Sequence, residues 1–340
     1  MLADVDSARS LALRALARFH SGGEGTVTFV KYRENYVFKV DEKDGSYALR
    51  IHRGGYRSDA EILEELDLLG SLADVGVPVP RVRPALDGRL LVRVADEDGD
   101  EHQVSLLEWV PGAVPLGDIG DAFTGEALVE PDTFAGLGAL VAELHSRTAR
   151  LPRAKASVRP PWDVDGILGE RAVWGDPRRA FTPGTPAEAT MATALPLLDA
   201  ALRAYGTGAD RYGAIHADFT PENVLVADGR MTVIDFDDSG DGYYLFDLAT
   251  AAFFYLPHPR ADEVVSALLT GYRRVRALGD EDLAMWPALL LARGLTYLGW
   301  AVDRPGDETS EFILEHVRPL VVELAEKFVT ARAGSSRTPA

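Results

Sequence analysis

The chain has 340 residues, of which 46% are hydrophobic and 26% are charged. This composition argues against a disordered chain and predicts one large or two medium domains. The 53 acidic and 35 basic residues give a net charge of −18, which argues against nucleic acid as a partner. Because cysteine is absent, disulfides, thiolate metal sites and a cysteine nucleophile are also excluded.

The N-terminal residues carry acidic side chains early and arginines at helical intervals. This pattern is typical of an amphipathic helix and not of a secretory signal peptide. The most apolar stretch, residues 245–256, contains Asp247 and is far shorter than the roughly 20 residues that cross a bilayer. We therefore expect a cytoplasmic protein without a membrane anchor.

Strand and helix patterns alternate in the first third of the chain. Residues 26–51 are rich in Val, Tyr and Phe between turn residues, and they predict a three-stranded antiparallel meander. Residues 57–75 have helical periodicity that stops before two prolines. Strand-like sequence resumes over residues 81–110, where Asp87-Gly88 predicts a hairpin turn.

Helical patterns dominate after about residue 112, except for strand and loop between residues 212 and 238. Residues 150–186 are rich in Pro, Arg and Gly and predict an irregular insertion. A domain boundary is expected near residues 111–115. The predicted helices cover residues 131–149, 187–206, 246–256, 260–277, 281–303 and 310–333.

Three oxygen-bearing side chains surround a short predicted hairpin within residues 215–238. Asp218 and Asn223 lie five residues apart across a loop that contains proline, and Asn223 opens the first strand. Asp235 closes the second strand, and the hairpin turn brings it back toward Asn223. The sequence thus predicts that these three side chains converge.

Such a group suits magnesium-dependent phosphoryl transfer. Magnesium prefers oxygen ligands and is completed by water and substrate phosphates, so one carboxylate and one amide suffice from the protein. A further aspartate is then available to accept the proton of the acceptor hydroxyl. We expect Asn223 and Asp235 to hold the metal and Asp218 to be the catalytic base.

The segment HADFTPEN, followed by VIDFDD, resembles the catalytic loop and metal motif of the aminoglycoside phosphotransferase and choline kinase family. His216, Asp218 and Asn223 match the spacing of the protein-kinase pattern H-R-D-x-x-x-x-N, and Asp235 begins the second motif. Asp237 stands where protein kinases have glycine. Within the family, the sequences ENYVF, GVPVP and IDFDD look most like the homoserine-kinase-like and stress-response-kinase branch.

The resemblance implies an α+β, bilobal, protein-kinase-like fold, in which a small antiparallel β lobe with one helix joins a larger, mainly helical lobe. It assigns residues 1–110 to an N-terminal nucleotide-binding lobe and residues 111–333 to a catalytic and acceptor-binding lobe. The small and polar residues at the end of the sequence predict a flexible tail over residues 334–340. The expected cofactors are ATP, with GTP as the alternative, and Mg²⁺.

Upstream residues fit the same resemblance. Arg50 takes the place of the lysine that contacts phosphates in the V-A-I-K pattern, and arginine also binds phosphate oxygens. Glu65 lies nearest the middle of the apolar stripe of its predicted helix, so it is the acid expected to pair with Arg50. Main-chain groups around Glu108 and Val110 are expected to meet adenine.

Four other side chains near the motif have predicted roles. Asp237 and Asp238 are candidate contacts for the metal or a cationic substrate, or caps of the following turn. His216 is expected to pack beneath the catalytic loop as a neutral residue. Asp247 is expected to bond main-chain amides, either beneath that loop or as a helix cap.

The predicted activity is transfer of the ATP γ-phosphate to a hydroxyl of a small molecule. Amine-bearing antibiotics, amino alcohols and amino acids are the expected acceptors. The alternatives are a Ser/Thr protein kinase of the bacterial stress-response type and a non-catalytic nucleotide-binding protein.

Overall fold

An antiparallel sheet and two helices form the N-terminal part of the fold. The computed structural model describes residues 4–19, 25–32, 35–152 and 157–335, so residues 336–340 of the expected tail lie outside the described residues. The first elements are α1 (Val5–Phe19), β1 (Thr26–Tyr32), β2 (Tyr36–Glu42), β3 (Gly45–Ile51), α2 (Asp59–Asp74), β4 (Val82–Arg83), β5 (Val92–Ala95) and β6 (Glu101–Glu108).

The sheet has the strand order β1-β2-β3-β6-β4, and β5 also pairs with β6. All of these pairings are antiparallel, which confirms the meander predicted over residues 26–51. Successive side chains of a strand point to opposite faces of the sheet, and those on one face form the core. On this face Phe38, Val40 and Leu49 are fully buried. These side chains belong to the same hydrophobic cluster as Leu11 and Ala15 of α1.

Helix α2 begins at a capping box and confirms the helix predicted over residues 57–75. The Ser58 hydroxyl accepts a hydrogen bond from the Glu61 amide, and the Glu61 carboxylate accepts one from the Ser58 amide. One acid, Glu65, lies on the face of the helix that points inward, as its position on the apolar stripe predicts. The buried residues of the helix are Ile62, Glu65, Leu66, Leu69 and Leu72.

The tight turn predicted at Asp87-Gly88 is present. The Gly88 amide donates to the Ala85 carbonyl at 2.8 Å, and the Ala85 amide donates to the Arg89 carbonyl at 2.8 Å, so the two sides of the turn are hydrogen-bonded to each other. The flanking strands β4 and β5 both pair with β6, because this eight-residue strand has pairing positions for each of them. A second tight turn joins β5 to β6 near Gly99, whose φ of 90° suits this conformation.

Helices dominate the remainder of the described chain, and all the predicted helices are present with ends shifted by a few residues. The last of them is interrupted, because a π-helical turn at Ile313–Val317 separates two α-helices. The elements are β7 (Val114–Pro115), α3 (Ile119–Thr124), α4 (Pro131–Thr148), α5 (Val164–Leu168), α6 (Pro186–Tyr205), β8 (Tyr212–Ile215), β9 (Val224–Ala227), β10 (Arg230–Val233), β11 (Gly240–Tyr243), α7 (Tyr244–Phe253), α8 (Ala261–Arg273), α9 (Asp280–Val302), α10 (Glu308–Phe312) and α11 (Arg318–Ser335).

Residue contacts divide the chain into two units. An antiparallel sheet accompanied by a larger helical part is the fold class that the sequence predicts, and that prediction is confirmed. Across the described ranges, no helix is both long and apolar enough to span a membrane. The first unit comprises Met1–Leu116, Leu151–Arg159 and Glu222–Asp237, and the second comprises Gly117–Arg150, Pro160–Pro221 and Asp238–Ala340.

Helices α4 and α8 of the second unit approach each other at two glycines. A Cβ atom on Gly138 would lie 2.1 Å from the carbonyl oxygen of Leu268. A Cβ atom on Gly271 would lie 1.9 Å from the carbonyl oxygen of Ala135. The close approach of the two backbones therefore requires glycine at both positions, although alanine is the better helix former.

We expect Gly138→Ala to lower the free energy of unfolding by about 1–3 kcal/mol, because the added methyl group forces the helices apart. Gly70→Ala in α2 is the matched control, since nothing lies within 4 Å of its added Cβ. Alanine there should instead raise stability by about 0.5–1 kcal/mol. Chemical unfolding of both variants measures the difference, and a more stable Gly138→Ala protein would contradict this packing.

Candidate active site

A buried carboxylate holds the loop that follows β8. Asp247 in α7 has no exposed side-chain surface. Its Oδ2 accepts a hydrogen bond from the His216 amide at 2.9 Å, and its Oδ1 accepts one from the Ala217 amide at 2.7 Å. Ala217 has a φ of 66°, a left-handed conformation that is unfavourable for alanine. Asp247 therefore lies beneath the loop and compensates this strain, and it does not cap its own helix.

His145 completes the support of this carboxylate. Its Nε2 lies 2.9 Å from Asp247 Oδ2, and its Nδ1 lies 3.0 Å from the Tyr272 hydroxyl. Because an ionised carboxylate only accepts hydrogen bonds, Nε2 carries the proton and Nδ1 accepts from the tyrosine. Burial lowers the pKa of His145, although the hydrogen bond to Asp247 opposes this shift. The ring is thus a neutral residue of the core.

Asp218 projects from the same loop and is held by a cation. Arg293 of α9 donates from Nη2 to Asp218 Oδ1 at 2.8 Å and from Nη1 to the Ala217 carbonyl at 2.9 Å. The amide of Asp218 also donates to His216 Nδ1 at 3.2 Å. His216 is fully buried and packs against Phe219, with 4.8 Å between the ring centroids. The carboxylate of Asp218 keeps 24% of its surface exposed.

In the first unit, the β9–β10 hairpin positions the two predicted metal ligands. The Ile234 amide donates to the Asn223 carbonyl at 2.9 Å, so the residues before β9 and after β10 are linked through the main chain. Asp235 follows directly with a φ of 66°, a second non-glycine residue in the left-handed region. Such backbone outliers cluster at functional sites. Asn223 is buried, and one third of the Asp235 side chain is exposed.

Arg50 connects Glu65 to this hairpin. Its Nη1 donates to Glu65 Oε1 at 2.7 Å, and its Nη2 lies 3.5 Å from Asp235 Oδ1 and 3.8 Å from Asp237 Oδ1. Burial alone would lower the pKa of Arg50, but the three carboxylates raise it above its ordinary value. Lys31 adds a second cation, 3.9 Å from Asp235. The pairing of Arg50 with Glu65 that the sequence predicts is therefore present.

Asp237 and Asp238 have different surroundings. The side chain of Asp237 is buried beside Arg50. In the second unit, Asp238 accepts hydrogen bonds from two indole groups: Trp174 Nε1 reaches its carboxylate at 3.0 Å, and Trp162 Nε1 reaches its carbonyl at 2.8 Å. These contacts fix the short 3₁₀ turn at Phe236–Asp238.

The predicted adenine-binding segment lies at the end of β6. The amide of Glu108 donates to the Arg81 carbonyl at 2.8 Å, and the amide of Trp109 donates to the Ser46 carbonyl at 2.9 Å. Val110 follows beyond the end of the strand and is partly exposed. The segment is thus tied to the sheet through its main chain, and its contact with adenine stays a prediction.

The sequence pointed to Arg293 only as a residue that lines an acceptor pocket or packs on its helix, not as a partner of Asp218, and it did not point to Arg159. Arg293 is the only charged residue between Leu283 and Val302, and a lone charge in an apolar helix signals a buried partner. Arg159, in the irregular segment before α5, donates to the main-chain carbonyls of Glu61 and Asp237. No pattern around Arg159 indicates this role, because its partners are distant in the sequence.

The oxygen donors of the hairpin fit a magnesium ion. Within the described residues, no group of three or more His, Cys, Asp or Glu side chains is arranged to hold a metal ion. Asn223 and Asp235 instead offer one amide and one carboxylate oxygen. This donor set suits a hard cation whose remaining ligands are water and substrate phosphates.

Comparison with known proteins establishes the family. The model of the phosphotransferase enzyme family, APH, matches residues 27–286, which is more than half of the chain. The chain belongs to this family, and it is a kinase. The family expected from the catalytic-loop and metal motifs is therefore confirmed.

Three relatives and solved structures illustrate the range of similarity. The structure of a microcompartment-associated aminopropanol kinase is 33% identical, has a TM-score of 0.82, and matches over 96% of this chain and 98% of that chain. A homoserine kinase of Gluconacetobacter diazotrophicus is 27% identical over 301 residues, which cover 84% of each protein. The structure of an amicoumacin kinase in complex with AMP-PNP, Ca²⁺ and Ami is 22% identical, with a TM-score of 0.73 over 92% of this chain and 93% of that chain, and shows the shared fold.

We expect thermal stability to fall between pH 7.5 and pH 5.5. Burial lowers the pKa of both His52 and His145. The unfolded chain therefore binds protons near pH 6.5 that the folded chain does not, so unfolding is favoured as the pH falls. The loss should be about 1 kcal/mol for each histidine.

Differential scanning fluorimetry across this pH range measures the effect. His145→Gln should be less stable at pH 7.5 and should lose part of the pH dependence. His316→Gln is the control, because that side chain is half exposed. A wild-type melting temperature that does not change from pH 7.5 to pH 5.5 would contradict the buried, neutral histidines.

Proposed function

We propose that this kinase transfers the γ-phosphate of ATP to a hydroxyl group of a small, amine-bearing molecule. In this proposal Asp218 is the catalytic base, and Asn223 and Asp235 hold Mg²⁺. One observation supports it most strongly. The Asp218 carboxylate is partly exposed and is fixed by its ion pair and by the hydrogen bonds of its loop, and Asn223 and Asp235 follow it in the sequence at the spacing of the family motifs. Positioned groups of this kind are what phosphoryl transfer requires.

The chemistry assigned to Asp218 is orientation and proton acceptance. Its carboxylate accepts a hydrogen bond from the acceptor hydroxyl, which turns the oxygen lone pair toward the γ-phosphorus. The proton moves to Asp218 as the new P–O bond forms and the bond to the ADP oxygen breaks. Because the transition state is loose, placement of the hydroxyl contributes more than strong basicity.

Nucleotide binding is assigned to the first unit. In this proposal Arg50 contacts phosphate oxygens; its hydrogen bond to Glu65 orients the guanidinium, and its permanent charge suits that role. Main-chain groups around Glu108 and Val110 would meet adenine. Bound magnesium would neutralise phosphate charge. The AMP-PNP and Ca²⁺ in the amicoumacin kinase structure support the use of a nucleotide with a divalent cation. Because AMP-PNP is an analogue of ATP, we propose ATP rather than GTP as the phosphate donor.

The acceptor class follows from the relatives together with the surroundings of the base. Aminopropanol and homoserine each carry an amine and a hydroxyl group. Kinases named for these compounds are 33% and 27% identical to this chain. Asp238, fixed by Trp174 in the same unit as Asp218, is the carboxylate we assign to an acceptor ammonium group. A carboxylate beside an aromatic ring suits a cationic ligand.

We expect magnesium-dependent ATP consumption when the purified protein is given pooled amino alcohols, amino acids or amine-bearing antibiotics. Asp218→Asn should lower the stimulated kcat by at least about 100-fold, because the amide cannot accept the proton. ATP binding by this variant, measured by calorimetry, should stay close to wild type. A coupled assay for ADP release measures turnover.

Other outcomes separate the alternatives. Turnover only with protein substrates would indicate the Ser/Thr kinase and overturn the small-molecule proposal. Nucleotide binding without turnover in every pool would indicate a non-catalytic protein. Stimulated turnover that survives in Asp218→Asn would contradict the assignment of the base.

A further inference from the structure

Arg293 is a fully buried cation surrounded by aromatic rings. Its guanidinium carbon lies 4.0 Å from the ring centroid of Tyr297, 4.5 Å from that of Trp174 and 5.4 Å from that of Phe246. We call these three side chains the aromatic cage. A buried charge is costly unless it is paired and hydrogen-bonded, so a cation retained in this position requires a reason.

The hydrogen bonds of Arg293 point toward the loop that carries Asp218. Nη2 meets the Asp218 carboxylate at 2.8 Å, and Nη1 meets the Ala217 carbonyl at 2.9 Å. Within the described residues, the buried Nε forms no hydrogen bond. The planar fork thus fixes two consecutive residues of the loop at once, one through its main chain and one through its side chain.

Packing alone does not explain this arginine. The rest of α9 between Leu283 and Val302 is uncharged, and an apolar residue of similar length would fill the aromatic cage without the cost of burying a charge. The cage instead leaves the head group facing Asp218. Cation–π contacts on several sides hold the guanidinium in one orientation. The Asp218 carboxylate is partly exposed, so its own surroundings restrict its orientation less.

We propose that Arg293 is a positioning residue for phosphoryl transfer, which holds the Asp218 carboxylate ionised and in a single orientation toward the acceptor hydroxyl. This inference rests on the proposed role of Asp218 as the base. Within the described part of the second unit, Arg293 of α9 donates to the Asp218 carboxylate, His216 of the loop accepts from the Asp218 amide, and Asp247 of α7 lies behind the main chain. Among these, Arg293 is the only permanent cation.

The arrangement has a chemical consequence. A permanent cation in contact with the base opposes protonation of the free enzyme, so Asp218 stays available at mildly acidic pH. The same cation then faces a neutral carboxylic acid once the hydroxyl proton has moved to Asp218. The arginine therefore favours return of that proton to solvent after transfer, which restores the carboxylate for the next turnover.

The test compares Arg293→Met, Arg293→Lys and wild type. Arg293→Met should lower kcat about 10- to 100-fold with little change in the KM for ATP. It should also move the acidic limb of the kcat/KM profile upward by about 1–2 pH units. Arg293→Lys keeps the charge without the fork, so it should restore the position of the limb better than it restores kcat.

The matched control is Arg276→Met. Arg276 is another cation stacked on an aromatic ring of the second unit, 4.2 Å from the centroid of Tyr244, and it bonds the main-chain carbonyls of Ala209 and Asp210. This variant should keep the wild-type pH profile. Thermal unfolding and ATP binding establish that each variant is folded before its kinetics are compared.

A second readout does not depend on turnover. With aspartate labelled at the carboxyl carbon, the NMR signal that disappears in Asp218→Asn belongs to Asp218. In Arg293→Met this signal should titrate about 1–2 pH units higher than in the wild type. Unchanged titration and an unchanged pH profile in folded Arg293→Met would overturn the proposal. If the wild type lacks turnover with every acceptor, the proposed function fails, while the NMR titration still decides whether Arg293 controls Asp218.

Discussion

The buried carboxylate of Asp247 is the constraint on which the catalytic loop depends. It accepts hydrogen bonds from two consecutive main-chain amides and from His145, and these bonds stabilise the buried carboxylate. The left-handed conformation of Ala217 persists because the loop is held from both sides, by Asp247 on its amides and by Arg293 on its carbonyl. These contacts on the preceding residues therefore set the direction in which the Asp218 side chain points.

The first unit shows the same strategy with different residues. Asp235 also has a left-handed backbone, and the β9–β10 hairpin and the Arg50 ion pairs fix its surroundings. Arg50 is held by Glu65, which is completely buried in α2. In both units, a buried arginine from a distant segment contacts a partly exposed carboxylate. We infer that rigid placement, more than strong acid–base chemistry, is what this kinase contributes to transfer.

Local patterns predicted most of the fold. The meander, helix α2 and the β9–β10 hairpin follow from alternation, periodicity and turn residues, and the inward position of Glu65 follows from helical spacing. The tight turn at Asp87-Gly88 also follows from its residues, whereas the pairing of both flanking strands, β4 and β5, with β6 was not predicted because it is a tertiary effect. Arg293 and Arg159 were missed as partners of the site residues because their contacts join segments that lie far apart in sequence.

The most direct measurement is a crystal structure with AMP-PNP, Mg²⁺ and the acceptor that gives turnover. We expect an acceptor hydroxyl within about 3 Å of the Asp218 carboxylate, with that carboxylate still bonded to Arg293. We also expect Mg²⁺ to be held by Asn223 and Asp235. A hydroxyl bound to another acid, or a metal held by other residues, would contradict the proposed roles of these residues.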